Sequence, residues 1–427
     1  MNDLLAKRMP IVLLLTIALA CVTSASGFDD WPQWRGPNRN DISSETGLLK
    51  TWPADGPEQL WVNQEAGLGY SGFAIVGDQL FTMGLEDNKE FALCLNAEDG
   101  TEIWRKTIGT KFRNAWGDGP RSTPSVDGEN VYFMAASGEL SCLQKADGKK
   151  IWSVKMSDFG GRVPNWGYSE SPLVDGGKVV CTPGGKKGTM LALDKISGKK
   201  IWQSKPITKM LENGNQSGPA GAHYSSIVPV ELNMRPIYVQ LTVLAVVGVD
   251  AESGELIWQS DWPGRTAVIP SPIVDKGKVY ITSGYGVGSK LVDVANEQAK
   301  DIWSSKVMQN HHGGVIQIGD YFYGSSSKSW VCQNKDDGEL AWSDRAIRKG
   351  AVTYADGMFI HVEESGGRVL LIKADHESHS IISSFKISPQ TKRRSSRGKI
   401  WVHPVVSDGK LYVRDQEIIH CYNLNEK

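Results

Sequence analysis

Four of the eight histidines, His223, His311, His312 and His403, stand at the entrances of short apolar runs. Other chemically versatile side chains occupy the same place in neighbouring runs: Tyr70, Arg121, Trp166, Tyr168, Tyr224, Lys349 and Trp401. Glu363, Glu364, Arg414 and Asp415 follow the second run of their units, and Tyr285 lies in the Gly-rich stretch 284–288. Imidazole, amine and carboxylate groups move protons or bind ions, and aromatic rings offer flat apolar faces. Such residues in this number are poorly suited to packing at a strand entrance. They are expected to line one polar pocket for a polar, partly flat ligand such as a sugar or a peptide end. The candidate ligand-binding set is Arg121, Trp166, Tyr168, His223, Tyr224, Tyr285, His311, His312, Lys349, Glu364, His403, Arg414 and Asp415. No catalytic or metal-ligating residue is assigned. A lone His at such a place more often satisfies a backbone group than binds a metal, and His-Glu-x-x-His, Gly-x-Ser-x-Gly and phosphate-loop motifs are absent. A hydrolase or lyase working from the His, Lys and Glu groups is one alternative.

A repeat positions these residues. Ala97-Glu98-Asp99-Gly100-Thr101-Glu102-Ile103-Trp104 returns as Ala146-Asp147-Gly148-Lys149-Lys150-Ile151-Trp152, and again around Trp202, Trp258 and Trp342. Trp303 ends a weaker copy without the Gly. Each strong copy has Gly four residues before Trp, and ten residues before Trp a small side chain: Cys94, Cys142, Ala192, Gly248 and Cys332. Asp293 breaks that rule. The spacing from Trp61 to Trp342 averages about 47 residues, the length of a four-stranded propeller blade. Asp-Gly-type turns between β-branched runs mark the hairpins. The repeat Trp rings are expected to fill the gap between blades, facing the small residue on the third strand.

The chain ends imply closure. A third strand with its small residue, Cys421, stands near the end of the sequence with no Gly or Trp after it, and the missing half stands at 55–61. Pairing the two leaves no open sheet edge. With a degenerate copy at 350–385, where Phe385 or Ile381 replaces Trp, the expected fold is an all-β, eight-bladed β-propeller of four-stranded antiparallel blades, closed by the N-terminal strand. Blade topology puts the fourth-to-first and second-to-third loops on one face, where the versatile residues gather, and the Gly turns on the other.

Residues 1–26 read as a secretory signal, with Lys7 and Arg8 before a ten-residue apolar stretch too short to span a bilayer. Residues 27–427 form one domain. Ala18-Leu19-Ala20-Cys21 is a poor lipoprotein box, so lipid anchoring at Cys21 is a second option. The expected location is periplasmic or cell-surface. Equivalent cysteines on adjacent blades are too far apart to bridge and read as buried small residues. The net charge of −1 gives no global field for nucleic acid. The basic run Lys392-Arg393-Arg394-Ser395-Ser396-Arg397 reads as a solvated loop between blades. A monomer is expected.

The pattern in Ala192-Leu193-Asp194-Lys195-Ile196-Ser197-Gly198-Lys199-Lys200-Ile201-Trp202 resembles the tryptophan-docking motif of pyrroloquinoline-quinone (PQQ)-type propellers. The resemblance covers the mature chain, and Asp30-Trp31-Pro32-Gln33-Trp34-Arg35-Gly36-Pro37 is similar to the opening of secreted planctomycete-type members. It implies one of two branches: quinoprotein dehydrogenases of alcohols or sugars, or cofactor-free scaffolds such as BamB. The vicinal Cys-Cys pair and the haem-attachment Cys-x-x-Cys-His of the enzyme branch are absent. The expectation is therefore a non-catalytic extracytoplasmic binding or scaffold protein without cofactor, acting on a polar small molecule, a glycan or a protein. A quinoprotein-like oxidoreductase using PQQ with calcium is the alternative.

Overall fold

The computed structural model describes residues 30–426, so the expected leader at 1–26 and Cys21 lie outside the described residues. Within them, thirty-two strands form eight four-stranded antiparallel sheets. The first blade is Ala74–Val76, Gln79–Glu86, Lys89–Asn96 and Glu102–Thr110, and six more follow consecutively. First strands of neighbouring blades touch, as Ser125–Asp127 and Leu173–Asp175 do, so the first strands form the inner ring. The eighth blade takes Val405–Ser407, Lys410–Asp415 and Ile418–Asn423 from the end of the chain and Gln59–Asn63 from its beginning. Trp61 lies directly opposite Cys421 in that junction. The ring closes by its own N-terminal strand, as the split repeat predicts.

The repeat residues explain the contact between blades. The small residue and the Trp of one copy face each other across strands, as Cys94 and Trp104 do. The indole then leans on the next blade and donates to a carbonyl there: Trp61 to Ala97 at 3.0 Å, Trp104 to Lys145 at 2.9 Å, Trp152 to Lys195 at 3.0 Å. The motif Gly is the seat of the incoming ring. Gly100 has φ of +73°, and a Cβ there would come within 2.5 Å of the Trp61 indole. Both the left-handed backbone and the close approach therefore require glycine.

Two irregular copies differ from the sequence reading. In the weak copy the hairpin is two residues longer, so Leu291, not Asp293, bears on Trp303. That copy also lacks the Gly seat, and Trp258 of the preceding blade keeps a buried Nε1 with no hydrogen bond. In the seventh blade the position in register with the repeat Trp is Ser383, opposite Leu371, and not Phe385 or Ile381. Phe385 still supplies the ring: it packs under Gly56 and edge-on to Trp52 at 5.5 Å. Cys94, Cys142, Cys181, Cys332 and Cys421 are buried and free.

The segment before the closing strand fills the axis of the ring. Trp31 N donates to Ile75 O in the first blade (2.8 Å), and Val126 N of the second donates to Pro32 O (2.8 Å). Arg39 donates to Pro172 O and Ile227 O at the entrances of the third and fourth blades (2.7 and 2.5 Å). Trp34 Nε1 reaches Ser271 Oγ of the fifth (3.2 Å), and Arg35 reaches Val315 O of the sixth (2.5 Å). Tyr354 N of the seventh donates to Asp41 O (2.8 Å), and His403 of the eighth meets the Asp41 carboxylate (3.1 Å). A segment that bonds to the inner strands, or to the residues just before them, in all eight blades can only lie on the axis. It enters beside the turn at Gly77, reaches inward to Trp34, and returns through Arg35, Arg39 and Asp41, all at positive φ. Arg35 and Arg39 are buried, their guanidinium groups spent on Asp41 and on backbone carbonyls. The channel is plugged.

Candidate functional site

Because the plug stops at Trp34, the mouth of the channel on the loop face is a bowl, floored by Trp34 and open to solvent above. Its walls carry seven Tyr and Trp rings: Trp34 at the floor, then Tyr70, Trp116, Trp166, Tyr224, Tyr285 and Trp401. His311, His312 and His403 complete the ring of flat groups. The rings are braced against one another. Trp34 lies 4.5 Å from His403, His312 4.8 Å from Trp401, Tyr70 4.9 Å from Trp401, and Trp166 5.5 Å from Tyr224. They come from the plug and from loops of many blades, so the site exists only once the ring has formed.

The ionisable groups behind these rings are tied to each other. Lys349 Nζ donates to His311 Nδ1 at 2.7 Å and lies 3.6 Å from Glu364. Trp401 Nε1 donates to the same Glu364 oxygen at 3.1 Å. Burial and the neighbouring Lys349 charge push the His311 imidazole down to about 3. Burial, with His311 and Lys349 beside it, holds His312 well below its ordinary value. Both rings are therefore neutral at pH 7. Burial also lowers Lys349, against the opposing pull of Glu364. The Arg121 guanidinium donates to Gly119 O and Gly117 O, both at 2.5 Å, and lies over the Tyr70 ring at 5.3 Å. His403 bridges the His312 carbonyl (2.8 Å) and Asp41.

Of the residues singled out in the sequence, Arg121, Trp166, Tyr224, Tyr285, His311, His312 and His403 line the bowl, with Tyr70 and Trp401. Lys349 and Glu364 stand in contact behind that lining. Four do not line it. Tyr168 is turned into the core, its hydroxyl donating to Pro183 O at 3.3 Å. His223 sits beside Tyr224 at a ring distance of 5.8 Å, with Nδ1 buried and unpartnered, and burial lowers it to about 4. Arg414 is fully buried and clamps the eighth blade to the first through Ser71 O, Gly67 O and Thr82 Oγ1. The strand alternation that carries Arg414 inward makes it a brace. Asp415 anchors the basic loop through a two-pronged bond from Arg394 (2.5 and 2.6 Å). Trp34 and Trp116 were missed. Trp116 stands in a loop of the same class as Trp166, and that was the available signal.

A calcium-bound tricarboxylate quinone asks for a different donor set. No Asp or Glu lines the bowl, and Glu364 behind it is bound by Trp401 and Lys349. Among the described residues no three of His, Cys, Asp and Glu gather as metal ligands. The residues present do not fit that group.

Comparison with known proteins agrees with this architecture. The chain is 22% identical over 336 residues to the outer membrane protein assembly factor BamB of Yersinia pestis, covering 72% of this chain and 75% of that protein. It is 24% identical over 290 residues to the tetrathionate hydrolase of Acidithiobacillus ferrooxidans, covering 61% and 52%. Among solved structures, BamB from Moraxella catarrhalis superposes with a TM-score of 0.58 at 15% identity, covering 83% of this chain and 94% of that one. A europium-containing methanol dehydrogenase gives 0.63 at 12% identity, covering 90% and 89%. At these identities the structures share the fold alone, which serves a scaffold and an enzyme alike. A family model described as outer membrane protein assembly factor BamB matches residues 88–344, most of the propeller. The chain belongs to the BamB-like family of PQQ-repeat β-propellers.

Proposed function

We propose that this protein is a non-catalytic, extracytoplasmic binding or scaffold propeller that receives its ligand or partner in the aromatic bowl at the plugged channel mouth. One observation carries the reading. Lys349, His311, Glu364, Arg121 and His403 are engaged with one another or with backbone, while seven aromatic rings line the cavity and His312, whose Nδ1 has no hydrogen-bond partner, is buried among them. Catalysis by acid, base or nucleophile needs a group free to engage the substrate. Binding needs rigid faces held in place, which the braced rings supply. The leader at 1–26 supports export. Relatives named as assembly factors favour a scaffold role, and a partner protein entering the bowl is part of this reading.

The test replaces Trp166 and Trp401 with Ala and compares the variant with wild type in a metabolite and glycan screen and in pull-down from the source extract. The fold should survive, because neither ring belongs to the docking between blades, and binding should fall at least tenfold. Unchanged binding would move the site elsewhere. The dehydrogenase reading has its own check. Calorimetry with PQQ and Ca²⁺ should show no saturable micromolar binding, and saturable binding with dye-linked alcohol oxidation would replace the scaffold reading.

A further inference from the structure

The two faces of the ring carry opposite charge. The eight loops that lead from a fourth strand into the next first strand contain sixteen Lys and Arg against five Asp and Glu. The fifteen short turns of the other face contain six against sixteen. With a net charge of −1 this is a separation rather than an excess. With the second-to-third loops of the same face the count is nineteen against eight, and a predominantly positive rim around a low-dielectric cavity focuses its field on that cavity.

The loop 387–404 holds the densest part of the positive charge, five cations and no acid. Arg394 is neutralised by Asp415. Lys392, Arg393, Arg397 and Lys399 have no ion-pair partner among the described residues. The loop is held at the edge of the bowl. Ser395 Oγ donates to Ala115 O at 2.7 Å, the Arg397 guanidinium lies 6.0 Å from the Trp116 ring, and Trp401 near the end of the loop is part of the wall. Aromatic faces and uncompensated cations thus stand side by side.

We propose that the bowl takes the end of an anionic polysaccharide, a uronate or sulfated chain. A sugar ring rests on the Trp116 and Trp401 side, with its acid group on Arg397 and Lys399. The proposal rests on the bowl being the binding site. The C–H face of a pyranose carries partial positive charge and is drawn to the negative face of an indole, while guanidinium pairs with carboxylate or sulfate. A single-stranded nucleic acid fits less well. Successive bases want platforms arranged along a groove, whereas here the rings are tilted around an axis, by 46° between Trp116 and Trp401 and 61° between Trp166 and Tyr224. Trp34 closes the floor, so a strand cannot thread through. An acidic peptide brings charge but no flat apolar face.

The experiment is calorimetry on the mature chain with a galacturonate hexamer, a sulfated hexasaccharide, neutral cellohexaose, hexaglutamate and a thymidine hexanucleotide, at low and high salt. Three variants accompany wild type: Arg397→Ala with Lys399→Ala, Trp116→Ala, and Lys186→Ala with Lys187→Ala as a charge-matched control on another loop. Melting temperatures confirm folding. The expected result is saturable binding of an acidic hexasaccharide, weakened at least tenfold by each of the first two variants and left within twofold by the control. Hexaglutamate or the oligonucleotide binding as tightly, or equal weakening by the control, would reduce the effect to general polyanion adhesion and overturn the proposal. Equal affinity for cellohexaose with the same loss in Trp116→Ala would overturn the anionic assignment and leave the bowl as the site. No binding of either acidic hexasaccharide overturns the proposal. The bowl then stands or falls by the Trp166 and Trp401 variant.

Discussion

Asp41 of the plug and His403 of the eighth blade meet with their Oδ2 and Nδ1 atoms 3.1 Å apart, and Arg35 binds the same carboxylate oxygen at 2.6 Å. Burial alone would raise this carboxyl, but Arg35 and His403 outweigh it and hold it below 3.8. A depressed carboxyl contributes stability above its unfolded value and loses it as pH falls through the folded one. Asp41→Asn should leave Arg35 buried without its counter-charge and cost about 3–5 kcal/mol. Denaturant melts at pH 7 measure the loss. The gap between wild type and variant should narrow below about pH 4.

Glu170 has the opposite sign. Burial raises its carboxyl to about 8 despite two bonds from Thr182 (2.6 and 2.8 Å). A raised acid contributes stability that is complete below the ordinary 4.5 and is lost as pH rises through the folded value. Wild-type stability should therefore decline between about pH 5 and 8, by up to about 1.4 kcal/mol per unit from this group. Glu170→Gln should remove that slope in melts recorded across the window.

The junction of the two chain ends should be the weakest seam. Trp61→Ala deletes a buried ring that docks on Gly100 and should cost about 3–5 kcal/mol. Removing residues up to 62 should bare the edge of Ile418–Asn423 and drive association. Sedimentation reads this directly. A monomeric truncation with an unchanged melt would contradict the closure.

Trp202 and Trp258 make a matched pair. The first donates to Ala251 O at 3.2 Å, whereas Nε1 of the second is buried without a partner. Trp202→Phe should cost roughly 1 kcal/mol more than Trp258→Phe. Equal losses would deny the indole hydrogen bond any part in docking.

The ring was legible in the sequence because each blade repeats the same local solution. Gly100 and Trp104 are four residues apart, and Cys421 without a following Trp signals the join. The loop face was legible as a place, since strand direction alone assigns it. Individual side chains were less so. Tyr168 and Tyr224 both stand at first-strand entrances, yet one is core and the other lines the bowl: Tyr168 lies seven residues before Asp175 and Tyr224 eight before Leu232, the matching strand ends, so the two are one step out of register. The plug was not legible at all. Arg39 finds its acceptors at Ser171, Pro172 and Ile227, more than 130 residues away, and no local pattern announces such contacts. The one hint was a segment with Trp31 and Trp34 that belongs to no blade.

The axial segment also dictates an order of assembly. Its hydrogen-bond partners are distributed over every blade, and the strand that follows it pairs with Ile418–Asn423 near the end of the chain. The earliest described residues are thus the last that can be fully seated. Until the eighth blade is made, Trp61 has no strand to pair with and Trp34 lacks the His403 ring beside it, and both of these contacts span most of the sequence. Such long-range contacts slow folding, since loop closure is paid before they form. The ring therefore ends its folding with a single concerted click, and a chain halted short of Cys421 leaves Trp61 without the strand it pairs with.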